Sequence, residues 1–171
     1  MVRSDLAASG GAGLVGFQKP GGPAQTVQQQ LDMLYYGISN VRDTQFAGGA
    51  KGDGVTDDTA AIQAAINSFG APSTATGGAV FFPPGQYKIT SSLYLNYNTS
   101  LIGDKFLTFI IADGDFEAIR WNSQIPSHSR HITIDGLRFV GAGVSSGFTN
   151  NTAIRMNHPW GLDHLSLKTC G

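Results

Sequence analysis

Residues 51–66 read KGDGVTDDTAAIQAAI, three aspartates and two glycines within eight residues and then an abrupt change to apolar sequence. Such a cluster suggests a metal loop, a catalytic loop or the start of a helix. A calcium loop alternates its oxygen ligands and closes on a distant glutamate, and neither feature is present here. Helix-start chemistry accounts for the residues better. Thr56 is placed as the N-cap, Asp57 and Asp58 lie in the first turn where carboxylates favour the helix dipole, and Val55 can staple onto Ala60. The following TAAIQAAINSFG puts Ile62, Ile66 and Phe69 on one face and stops at Gly70, with Gly52 and Gly54 making the turn before it.

Beyond residue 78 the pattern becomes a series of short apolar runs divided by Gly, Asn, Asp and Pro: 79–82, 87–89, 93–95, 100–102, 109–111, 118–121, 132–134, 137–140, 153–156 and 165–167. These predict strands of three to five residues and no helix. Strands so short suit a coiled sheet in which each one pairs with its counterpart a turn later. A repeat supports the coil: EAIRW (117–121) returns as TAIRM (152–156), and IDGLRF (134–139) returns as LDHLSL (162–167). Two copies of a two-part motif in the same order are the pattern of stacked rungs. Ile89, Leu95, Ile102, Ile119, Ile134 and Leu167 are the expected inward-facing residues. The helix over 56–69 is expected to cover the first open edge.

On the other side, residues 1–25 are rich in Gly, Ala and Pro without a period and predict an extended arm. Thr26 and Gln29 then make a capping-box pattern, and Val27, Leu31, Leu34 and Tyr35 share one helical face before Gly37. So short an amphipathic helix needs a partner for its apolar stripe. The chain has 171 residues, 41% of them apolar, enough for one domain with a core and an appendage. A net charge of −1 provides no sustained positive field for nucleic acid or anionic lipid. One cysteine, Cys170, rules out an intrachain disulfide. No run reaches a signal-peptide core or a membrane span, which predicts a chain made in the cytoplasm and not inserted in membrane.

The phrases AKGDGVTDDTAAIQAAI (50–66), GGAVFFPPGQYKITSSLYL (77–95) and LIGD (101–104) resemble the opening segment of the pectate-lyase-like right-handed β-helix superfamily. The resemblance runs from about Asn40 to the end of the chain. It implies a mainly β fold, a right-handed parallel β-helix whose N-terminal end is plugged by a helix. Lyases, hydrolases and non-enzymatic spikes share that fold, so it does not fix an activity. The preceding SDLAASGGAGLVGF (4–17), TVQQQLDML (26–34) and VRD (41–43) resemble the connector of bacteriophage tailspikes. This sequence departs from that pattern in carrying extra residues over 43–50.

What the resemblance implies is a connector over 1–39 and the start of a β-helix over 40–171. It further implies a homotrimer carried on the virion, attached to a tail or baseplate protein through its arm. The complete protein would bind bacterial surface polysaccharide through rungs beyond residue 171 and depolymerise it as a hydrolase or lyase; the alternatives are a purely structural trimerisation and virion-attachment module without glycan activity, or part of a free polysaccharide lyase or glycoside hydrolase. Nucleic acid and membrane are not expected partners.

Glycosidic hydrolysis needs two facing carboxyl groups, and elimination needs a base beside a neutralised uronate. Asp113 and Asp115 sit in the turn sequence ADGDF, where they cap backbone amides. Asp135 and Asp163 occupy equivalent positions in the repeat, which argues for a structural ladder. Glu117 is the carboxylate that turn logic explains least. His128, His131, His158 and His164 lack metal-site spacing. Trp160, Tyr94 and Tyr97 are candidate sugar platforms that read more simply as packing residues. Accordingly no catalytic, cofactor or metal residue is assigned within this segment.

Overall fold

The computed structural model describes residues 16–18, 24–26, 37–69, 77–96, 98–121, 132–141, 152–155 and 165–168. They fall in two compact units, Met1–Tyr36 and Gly37–Gly171. In the first, β1 (Gly16–Gln18) pairs antiparallel with β2 (Ala24–Thr26), Phe17 opposite Gln25. The arm expected to be irregular therefore holds a two-stranded ribbon, with the Pro- and Gly-rich KPGGP of residues 19–23 between its strands. The helix expected after Thr26 lies outside the described residues.

The second unit is a stack of parallel rungs. Its strands are β3 (Ile38–Asn40), β4 (Asp53–Asp57), β5 (Gly78–Phe82), β6 (Gly85–Ile89), β7 (Leu93–Leu95), β8 (Thr99–Gly103), β9 (Thr108–Ala112), β10 (Ile119–Trp121), β11 (Ile132–Asp135), β12 (Arg138–Val140), β13 (Ile154–Arg155) and β14 (Leu165–Lys168), with one helix, α1 (Thr59–Asn67), after β4. Three sheets run in the orders β14-β11-β8-β5-β3, β12-β9-β6-β4 and β13-β10-β7. Every pairing in them is parallel. The chain thus visits the three sheets in turn and lays each strand on the one from the previous turn, the geometry of a parallel β-helix. No helix among the described residues is long and apolar enough to cross a membrane.

Side-chain alternation along a strand sends one ladder from each sheet inward. Val80, Leu101 and Ile134 follow one another in register, as do Tyr87, Ile110 and Phe139, and Leu93, Ile119 and Ile154. All but Phe139 and Ile154 are fully or nearly fully buried, and those two pack against the same core. Each fully buried large apolar side chain contributes roughly 2 kcal/mol by removal from water. Phe82 meets the Tyr87 ring edge-on at 5.5 Å, and the Tyr87 hydroxyl donates to the Pro83 carbonyl at 2.7 Å. Burial pushes the Tyr87 hydroxyl above its ordinary pKa, against the pull of the nearby Arg42 cation.

Ile89, Leu95, Ile119 and Ile134 face inward as expected, but Ile102 does not. Leu101 occupies the inward position in register with Val80, and Ile102 stands outside beside Phe81. A shift of one residue changes the face of a strand, and pairing with β5 fixes which face Leu101 takes. Leu167 lies in register with Ile134.

The first repeat is realised as read: Ile119 pairs with Ile154 and Arg120 with Arg155, 35 residues on (154 − 119 = 35). The second is not. Ile134 pairs with Leu167 and Asp135 with Lys168, an offset of 33 (167 − 134 = 33) rather than the 28 implied by matching Asp135 to Asp163. Similar short apolar strings align at both offsets, and the hydrogen-bonded ladder selects one. The corner between β11 and β12 needs Gly136, with φ +70°: a Cβ there would land on the carbonyl oxygen of Gly103 in the rung before.

The extra residues over 43–50 fold into consecutive turns. Asp43 donates to Asn40, Phe46 to Asp43, Gly49 to Phe46, and Ala50 returns to the Val41 carbonyl at 2.8 Å. Phe46 is buried at 7% exposure, so the insertion contributes to the core.

Candidate functional site

The aspartate cluster of residues 51–58 organises its own loop. Asp58, 2% exposed, accepts the Lys51 N–H at 2.7 Å and the Gly52 N–H at 2.9 Å. Asp53 accepts the amides of Val55 (2.9 Å) and Thr56 (2.8 Å) and the Thr56 hydroxyl (2.8 Å). Those bonds, the Thr56 amide first, hold the exposed Asp53 carboxyl down to about 2. Asp57 accepts the amide and hydroxyl of Thr59 through one oxygen and the Thr90 hydroxyl through the other. Burial raises its pKa, but the bonds from Thr59 and Thr90 outweigh it and hold Asp57 below the ordinary value.

This corrects the helix start. Asp53 to Asp57 form β4, α1 begins at Thr59, and Asp58 stands at its N-terminus without a side-chain cap. Thr56 is no N-cap, and Val55, 75% exposed, staples nothing. Pairing of β4 with β6, Asp57 beside Lys88, keeps these residues extended against their capping tendency. Ile62 and Ile66 are buried as read, and Phe69 packs on the core. Gly70 lies outside the described residues.

Of the remaining carboxylates, Asp113 is exposed and pairs with Lys88 at 3.7 Å, while its amide donates to Ile89. Asp115 is half-buried in the same bend, and Asp135 is half-buried on β11, in register with Ile102 and Lys168. Glu117 differs: it is 7% exposed, just before β10, and its Oε2 lies 3.3 Å from Arg120 Nε. The Arg120 guanidinium lies over the Tyr94 ring, 5.7 Å from its centroid. Tyr94 and Arg120 are register neighbours on β7 and β10, and Arg155 is the next register position.

The outer face of the third sheet therefore presents an aromatic ring with a guanidinium laid across it, ion-paired with a buried carboxylate. A guanidinium there can hydrogen-bond to the hydroxyl or carboxylate groups of a sugar, while the Tyr94 face beneath it is taken up by the cation–π contact. Sequence reading singled out Glu117 and Tyr94 but not Arg120, whose signal was the i, i+3 spacing from Glu117 and its recurrence as Arg155. Asp163, the four histidines, Trp160 and Tyr97 lie outside the described residues. Among the described residues no cluster of His, Cys, Asp and Glu is arranged to hold a metal ion.

Parallel rungs, three converging apolar ladders and a helix at one end define a pectate-lyase-like β-helix. Residues 38–140 match the family described as rhamnogalacturonase A/epimerase, pectate lyase-like, and the chain belongs to that family. It is 49% identical over 130 residues to mannuronan C5-epimerase AlgE6 of Azotobacter vinelandii, covering 67% of this chain and 14% of that protein. It is 40% identical over 92 residues to a probable glucan endo-1,3-beta-glucosidase of Arthroderma benhamiae, covering 50% of this chain and 10% of that one. Among solved structures it resembles ORF18 of Geobacillus virus E2, with TM-score 0.56 and 34% identity over 66% of this chain and 23% of the viral one. PfbA, a surface adhesin of Streptococcus pneumoniae, shares the fold at TM-score 0.55 and 19% identity, over 78% of this chain and 32% of that one. The chain thus spans less than a third or so of each of these proteins.

Proposed function

We propose that this chain is the attachment arm and opening rungs of a phage tailspike whose complete form binds and depolymerises bacterial surface polysaccharide, capsule or O-antigen. The observation that carries the reading is the likeness, at 34% identity, of these first rungs to a viral β-helix protein of which they cover 23%. Membership of a family named for a rhamnogalacturonase and an epimerase supports a polysaccharide as the target. On this reading the protein is a homotrimer on the virion, and its residues 1–39 join it to a tail or baseplate protein. The segment itself is structural, and cleavage belongs to later rungs.

The test uses the full-length protein and polysaccharide purified from the host it is found to adsorb to. A fall in polysaccharide mass on a sizing column is expected, with new reducing ends for a hydrolase or an unsaturated uronate absorbance for a lyase. Unchanged mass of that polysaccharide, together with no binding of the full-length protein to the purified polysaccharide, overturns the reading. Binding without cleavage would reduce the protein to a non-enzymatic spike.

A further inference from the structure

Three aspartates of the chain are followed by glycine: Asp53 by Gly54, Asp113 by Gly114 and Asp135 by Gly136. In such a pair the amide nitrogen of the glycine can bond to the side-chain carbon of the aspartate, and glycine places no side chain in the path of attack. Water leaves, and the five-membered succinimide that results takes up water at either of its carbonyls. One opening restores aspartate. The other runs the main chain through the side-chain carbon and gives isoaspartate, with one more methylene in the backbone. One water leaves, one enters, and the number of carboxylates is unchanged. The reaction needs an Asp-Gly peptide that can turn and a carboxyl that can take up a proton, so that its oxygen departs as water.

The fold treats the three pairs unequally. Asp53 lies in β4, and its carboxyl oxygens accept the amides of Val55 and Thr56 and the Thr56 hydroxyl. Held down to about 2, it carries the needed proton less often than an ordinary aspartate. Asp135 is the last residue of β11 and has a strand on either side, with Ile102 and Lys168 as its register partners. Gly136 after it rests on the Gly103 carbonyl of the previous rung. Asp113 instead stands just past the end of β9. Its N–H donates to the Ile89 carbonyl at 2.9 Å, the bond that ends the pairing with β6, and residues 114–116 bend away. The ladder therefore stops one bond before the peptide that must turn. The Asp113 side chain is 58% exposed, and its carboxyl faces Lys88 at 3.7 Å, longer than a hydrogen bond.

We propose that Asp113 is a site of spontaneous covalent modification in the folded protein, converting to isoaspartate through attack of the Gly114 nitrogen on its side-chain carbon, with water as the sole co-reactant. At Asp53 and Asp135 a strand must open first, and local opening of a paired segment carries a free-energy cost that a bend does not. The product lengthens the crossing from β9 to β10 by one methylene. Its free carboxylate is borne directly on the α-carbon, which shortens its reach towards Lys88.

The test incubates the whole chain, folded and in urea, in mildly acidic buffer at physiological temperature. Isoaspartate is mapped by peptide mass spectrometry and by resistance to a protease that cleaves before aspartate. In the folded chain Asp113 is expected to carry at least about tenfold more isoaspartate than Asp53 or Asp135, the protection that strand pairing gives the other two. In urea the three yields are expected to converge. Equal yields in the folded chain, or no isoaspartate at Asp113 there, overturns the proposal. A preference for Asp113 that persists undiminished in urea overturns it as well, since the preference would then belong to the local sequence and not to the fold. Asp113→Glu keeps a carboxylate in reach of Lys88, but its longer side chain closes the ring far more slowly. It is expected to abolish the isoaspartate of the folded chain, and an unchanged total overturns the assignment to this residue.

Discussion

Three aspartates in eight residues turn out to serve three different sets of amides and hydroxyls. Asp58 closes the turn before α1 by receiving two backbone N–H groups while almost wholly buried. Asp58→Ala leaves those donors without a partner, and a loss of about 2–4 kcal/mol is expected in urea denaturation, since bonds to a charged acceptor are worth ~1.5–3 kcal/mol each. Asp53 and Asp57 have pKa values lowered in the folded state, Asp53 to about 2 from 3.8. A carboxylate with a depressed folded pKa adds stability that is complete above its unfolded value and disappears as pH falls through the folded one. The thermal midpoint should therefore be insensitive to these groups above about pH 4 and decline from about pH 4 to pH 2. Asp53→Asn, which keeps an acceptor but does not titrate, should shallow that decline in a melt series over the same range. At the candidate site, Glu117 was legible because no turn explained it, whereas Arg120 was not: its meaning depends on Tyr94, which reaches it only through pairing of β7 with β10.

The strands were readable because each is a brief alternation between turn-forming residues, and VFFPPGQY shows why. Val80, Phe82 and Tyr87 go inside, Phe81 goes outside, and the two prolines occupy the corner where no ladder hydrogen bond is needed. The start of α1 was misread by three residues because local capping preference competes with tertiary pairing, and β6 wins residues 53–57 for a strand. The rung offset between β11 and β14 was misread because loop length carries no periodic signal. The helix itself is held by its buried face, Ala61, Ile62, Ala65 and Ile66. Ile66→Ala is expected to cost about 2–4 kcal/mol, by lost transfer energy and the cavity left, and to lower the thermal midpoint with little change in the β signal of circular dichroism. The polar side of the same helix, where Gln63 Oε1 accepts the Tyr94 N–H at 2.8 Å, could not be found in the sequence, since Gln63 and Tyr94 are 31 residues apart and nothing local relates them.

For the whole molecule, the proposed trimer gives a solution mass near three times 18.0 kDa for this chain. Leu31 belongs to the Val27, Leu31 and Leu34 stripe read from the sequence, and Leu31→Asp should move the mass measured by light scattering towards a single copy while the β signal is kept. A variant of wild-type mass excludes that helix as an assembly element. The parallel coil has one more consequence, which concerns the order in which it is made. Beyond the first strand of each sheet, every strand of the coil rests on a neighbour from the preceding turn, at least 21 residues earlier in the chain (99 − 78 = 21). Contacts so distant in sequence form slowly. A ribosome delivers β4 and α1 before β7 exists, so the side chains that cover the leading edge are already in place when that edge first appears. Each later turn then has, in the turn before it, a finished ladder to pair with.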